Sequence, residues 1–101
     1  MQLRVIIGGK VTIFDAYNID GYNYFNIDEL AGAFEGTAAS FGTIYSDELN
    51  AIIIEADGIG TELPVHYYIN GGYYVNLREF TAALGVSLVY NGDIILISTD
   101  R

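Results

Sequence analysis

The sequence has no cysteine, no tryptophan, one proline, one histidine and four lysine or arginine residues in a chain of 101. Without cysteine there is no disulfide, no thiolate nucleophile and no cysteine-ligated zinc. A copper site needing several imidazoles cannot be built around His66 alone. Lying between Val65 and Tyr67, this histidine is expected to be a surface or hydrogen-bonded sheet residue. Ser40 and Ser46 likewise lack a histidine–acid set, which leaves nucleophilic catalysis unsupported. No catalytic residues, metal or cofactor are expected.

Positive charge is equally scarce. Arg4, Lys10, Arg78 and Arg101 stand against 13 acidic residues, for a net charge of −9. Such a chain offers no basic patch to a phosphate backbone, so nucleic acid is excluded as a partner, and anionic membrane surfaces are disfavoured. No apolar run approaches the ~20 residues of a membrane span. After Arg4, the run Val5-Ile6-Ile7 falls short of the roughly 7–15 apolar residues of a signal-peptide core. Any export signal is therefore expected outside these residues.

What is present is a foldable composition, 51% hydrophobic and 17% charged. The length predicts one domain, residues 1–101. Gly8-Gly9 separates apolar runs at Leu3–Ile7 and Val11–Phe14, which reads as a hairpin whose second strand extends over Asp15–Ile19. Asp20-Gly21 marks a turn before a short strand, Tyr22–Phe25. Asn26 is a predicted helix N-cap, with Asp28 and Glu29 in the first turn. Ile27, Leu30, Ala31 and Phe34 share one face of that helix, and Gly36 is its expected stop.

Thr37–Gly42 reads as loop, Thr43–Tyr45 and Ala51–Glu55 as strands, and Ile52-Ile53-Ile54 suits a central position. Ala56–Glu62 is expected to join two halves; its Asp57 and Glu62 are too sparse for a calcium loop. Pro64 opens a strand over Val65–Ile69, Asn70-Gly71 is a strong hairpin turn, and Gly72–Val75 returns. Asn76 then caps a helix with Leu77, Phe80, Thr81 and Leu84 on one face and Gly85 at its end. Val86–Tyr90, Asn91-Gly92 and Asp93–Ser98 make a closing hairpin.

The two halves repeat. A shift of fifty positions aligns Tyr17 with Tyr67, Ile19 with Ile69, Gly21 with Gly71, Tyr24 with Tyr74, Asn26 with Asn76 and Glu29 with Glu79. Each copy has a sheet segment and one helix that cannot cover its own apolar face, so the copies are expected to share one core. The predicted fold class is α+β: antiparallel sheet with two short helices, in two tandem hairpin–helix–hairpin repeats (about 9–55 and 62–99) related by pseudo-twofold symmetry.

These strings resemble a family. Ile69-Asn70-Gly71, Tyr74-Val75, Leu77-Arg78-Glu79, Leu84-Gly85, Tyr90-Asn91-Gly92 and the apolar Ile94–Ile97 occur in the order of the copper amine oxidase N-terminal-like (stalk) domain of exported Firmicutes proteins. The first copy departs from it, with Ile27-Asp28-Glu29 at the helix start and Phe34-Glu35 at its end. The resemblance implies a non-catalytic, extracellular, cell-wall-associated module that spaces or anchors neighbouring domains. It implies no copper, because the oxidase chemistry belongs to another domain of that protein.

Nine tyrosines are the most suggestive feature for binding. Tyr22, Tyr24, Tyr73 and Tyr74 flank the two turns, where exposed rings would stack on a polysaccharide or peptidoglycan. The simpler account is strand propensity and packing. Arg78 is expected to pair with Glu79, Glu29 or another nearby acid, and Asp28-Glu29 and Asp47-Glu48 are expected to act as cap and solubility charges. Self-association through an uncovered strand edge is a further expectation.

Overall fold

The computed structural model describes residues 1–100; Arg101, counted above among the basic residues, lies outside the described residues. The chain opens with a hairpin, β1 (Gln2–Ile7) and β2 (Lys10–Asp15), around Gly8 and Gly9, both at positive φ. A second hairpin, β3 (Tyr17–Ile19) and β4 (Tyr22–Asn26), runs directly into helix α1 (Ile27–Phe34). Strands β5 (Gly42–Ser46), β6 (Ala51–Ala56) and β7 (Ile59–Pro64) form a meander. A third hairpin, β8 (Tyr67–Ile69) and β9 (Gly72–Asn76), leads into α2 (Leu77–Leu84), and β10 (Leu88–Asn91) with β11 (Ile94–Ile97) closes the chain.

The eleven strands lie in three sheets, ordered β10-β11-β1-β2, β3-β4-β9-β8 and β5-β6-β7. The fold is α+β, mostly sheet, and its pairing is antiparallel as expected except that β1 pairs with β11 in parallel. The expected extension of β2 through Ile19 fails at Ala16. This fully buried residue carries the chain from one sheet to the next, so Tyr17–Ile19 pairs with β4 instead. The expected connector after Ala56 is a strand. Asp57 (φ 52°) and Gly58 (φ 77°) make a two-residue turn, and β7 returns along β6 with Leu63 buried. Pro64 ends that edge strand rather than opening the next, a position where no ladder donor is needed. In the last hairpin Asn91 pairs with Ile94, so Gly92-Asp93 is the turn, with positive φ at Gly92.

Both predicted N-caps form. Asn26 Oδ1 accepts from the amides of Asp28 (2.9 Å) and Glu29 (3.2 Å), and Asn76 Oδ1 from that of Glu79 (3.1 Å). Helix α2 ends at Gly85 in the left-handed region, whose amide reaches Thr81 and Ala82. Helix α1 ends at Phe34, and Gly36, the expected stop, follows the cap residue Glu35 at positive φ (80°). This turn lets Thr37 take the Phe34 carbonyl through both amide (3.1 Å) and hydroxyl (2.7 Å).

One cluster of buried residues draws on all three sheets and both helices. Phe14 meets Phe25 edge-on at 5.1 Å, and Phe34 of α1 meets Phe80 of α2 at 5.6 Å. Phe14, Phe25, Phe34 and Phe80 are all fully buried. Each such ring contributes roughly 1.5–3 kcal/mol of transfer free energy. Ile52 and Ile54 of the central strand β6 point into the same core, as the triple-isoleucine run predicts.

Candidate functional site

The nine tyrosines divide by what they touch. On the sheet face that carries Tyr17, Tyr24, Tyr67 and Tyr74, Tyr17 packs edge-on to Tyr74 (5.1 Å) and Tyr24 edge-on to Tyr67 (4.9 Å). Tyr24 and Tyr74 are buried there, so these two of the four expected binding tyrosines have little ring surface to offer a ligand. Burial pushes the Tyr74 phenol above its usual 10.0; a hydrogen bond with Asn26 opposes this, while Tyr17, Glu29 and Asp15 add to it. His66 sits at the edge of this group, 5.6 Å from the Tyr24 ring centre and 2.8 Å from Glu79 Oε1. That is the hydrogen-bonded surface role expected for it.

Tyr22 and Tyr73 retain exposed surface but lie in different places. Tyr73 stacks on Tyr45 at 4.3 Å with an interplanar angle of 15°, and Tyr68 meets its edge at 4.9 Å. Tyr68 is 60% exposed, which makes this trio an aromatic surface patch. Tyr45 donates to Asn50 Oδ1 at 3.1 Å. Partial desolvation raises the Tyr73 phenol above 10.0, with Tyr45, Tyr68 and Asp47 adding to it. Neither Tyr45 nor Tyr68 was singled out by the sequence. The signal for Tyr68 lay in the Asn70-Gly71 turn, since a two-residue loop there sets Tyr68 opposite Tyr73. Tyr45 arrives from another sheet and left no local trace.

Tyr22 lines a separate open cleft of about 250 Å³ with Gly21, Asn23, Asn76, Leu77, Arg78 and Tyr90. Arg78 does not make the expected ion pair with Glu79, which is held by His66. Its guanidinium lies over the Tyr90 ring, 5.0 Å from the centroid. Asn23 Nδ2 donates to the Tyr90 hydroxyl at 3.2 Å. No carboxylate lies within ion-pair distance of Arg78 among the described residues. The tyrosines expected to act together thus fall into three environments.

Val11 and Ile13 are more than half exposed on β2, one of the two edge strands of its sheet. No group of three or more histidine, aspartate or glutamate residues able to hold a metal ion occurs among the described residues. No helix among them is long and apolar enough to cross a membrane. No family model, curated protein or solved structure matches the chain.

Proposed function

We propose that this chain is a non-catalytic spacer or anchoring module of an extracellular, cell-wall-associated bacterial protein, of the copper amine oxidase N-terminal-like kind. The observation that carries the reading is the parallel pairing of β1 with β11, Arg4 opposite Ile94 through Ile7 opposite Ile97. Polypeptide joined before β1 and after β11 would leave from opposite ends of one sheet, which is the path a spacer needs. The partners in this reading are the neighbouring domains of the same polypeptide.

We further propose that two repeats, about 9–55 and 62–99, build the module around a pseudo-twofold axis. The pairing of β4 with β9 supports this: Tyr24 lies opposite Asn76, Phe25 opposite Val75 and Asn26 opposite Tyr74. Exchanging every residue for its counterpart fifty positions away returns the same three pairs. The ring contacts Tyr17–Tyr74 and Tyr24–Tyr67 exchange in the same way.

A second reading, a polysaccharide- or peptidoglycan-binding module, is favoured by the exposed Tyr45–Tyr73–Tyr68 patch. Retention of the purified chain on Gram-positive cell walls, at low and moderate salt, separates the two. The spacer reading predicts no salt-resistant retention. Retention that is lost in Tyr68→Ala plus Tyr45→Ala would replace it with the binding reading.

A further inference from the structure

We propose that β1 and β11 form a mechanical clamp, so that the module resists tension applied between its flanking segments far better than tension from other directions. This rests on the spacer reading, and adds that the spacer carries load. The two strands are the inner pair of their sheet, with β2 outside one and β10 outside the other. Their ladder runs from Arg4–Ile94 to Ile7–Ile97, and the Gly8 amide extends it to the Ile97 carbonyl at 3.3 Å. Val5, Ile7, Ile95 and Ile97, the inward side chains, are at most 3% exposed, so water has no access to the ladder from the core side.

Tension from the two flanks pulls the start of β1 and the end of β11 in opposite directions along the strands. All rungs of a parallel pair are then strained together, and none opens before its neighbours. A hairpin pulled at its two ends instead loses one rung at a time. The segment from Ala16 to Ser87 lies between β2 and β10 in the chain, behind this ladder and out of the direct line of load. It stays shielded until the clamp fails.

Single-molecule force spectroscopy tests the clamp, and the absence of cysteine allows clean attachment. Handles on Gln2→Cys and Asp100→Cys load β1 against β11 in shear. Handles on Lys10→Cys, just past the turn that ends β1 and opposite Ile7, and on Asp100→Cys, just past β11, pull at the same end of the sheet and peel β1 from β11. Forced unfolding follows the barrier along the pulling direction, so the shear force is expected to exceed the peel force by about twofold or more. Equal forces would overturn the proposal. Ile95→Ala is expected to lower the shear force, and Leu63→Ala, a buried site on β7, to leave it unchanged even where it costs as much equilibrium stability. A drop as large in Leu63→Ala would also overturn it. Retention on cell walls would remove the spacer reading while leaving the force ratio standing, so the two fail separately.

Discussion

The two hairpin–helix segments, β3-β4-α1 and β8-β9-α2, begin alike and end differently. Each turns on an Asx-Gly pair with both residues at positive φ, Asp20-Gly21 and Asn70-Gly71, and each sends its strand into an eight-residue helix through an asparagine cap. They diverge at the helix exit. Glu35 leaves the helix with ψ 133°, Gly36 follows at φ 80°, and the chain departs through residues 36–41 toward the meander. Gly85 is left-handed (φ 79°), Val86 donates back to Thr81, and the chain drops directly into β10. Local code fixes the hairpin and cap, and the C-cap decides which sheet the chain joins next.

The shared contact between the helices gives the largest expected effect. Leu30 and Phe34 of α1 stand where α2 has Phe80 and Leu84, so each helix brings one phenylalanine to the Phe34–Phe80 contact. Phe34→Ala and Phe80→Ala are each expected to cost about 3–5 kcal/mol in urea unfolding. A loss in only one of them would mean that the segments do not share that contact equally.

Position 72 breaks the likeness. A Cβ on Gly72 would collide with Asn26 Nδ2, and Asn26 cannot swing away without releasing the two amides it caps. Its counterpart fifty positions earlier is Tyr22, 54% exposed beside Asn76 in the open cleft. Gly72→Ala is expected to destabilise by about 1–2 kcal/mol, the worth of a cap. Tyr22→Ala should stay within about 0.5 kcal/mol, as surface changes do. Matched losses in thermal unfolding would contradict this asymmetry. The caps themselves differ less: Asn26→Ala frees two amides and Asn76→Ala one, so the first is expected to cost more, each near 1 kcal/mol.

The smallest effect is alkaline. Folding raises the Tyr73 and Tyr74 phenols above 10.0, so the native state favours their protonated forms. That stability is whole below pH 10 and is lost as pH rises through the folded values. Tyr73→Phe with Tyr74→Phe should flatten the alkaline limb of a pH–stability curve. An unchanged limb would remove these two as its cause.

Much of this was legible because it is local. Asn26, Asn76 and Gly85 are caps within a few residues of what they cap, and Asn70-Gly71 sets its own hairpin register. Ile59–Pro64 was hidden because Gly60, Thr61 and Pro64 resemble a linker, and only pairing with β6 makes them a strand. The β1–β11 ladder joins residues about ninety positions apart and leaves no periodic trace in either strand. The tyrosines were legible as a group but not one by one. Burial of Tyr24 and Tyr74 depends on Tyr67, Tyr17 and His66 crossing from neighbouring segments.

The parallel pair of β1 and β11 sets a through-going path for the chain. Spin labels on Gln2→Cys with Asp100→Cys, and on Lys10→Cys with Asp100→Cys, measure it by double electron–electron resonance. A strand rise of about 3.3 Å per residue predicts a first distance of roughly 20 Å or more, well above the second. A first distance as short as the second would place both flanks at one end of the sheet and rule out that path.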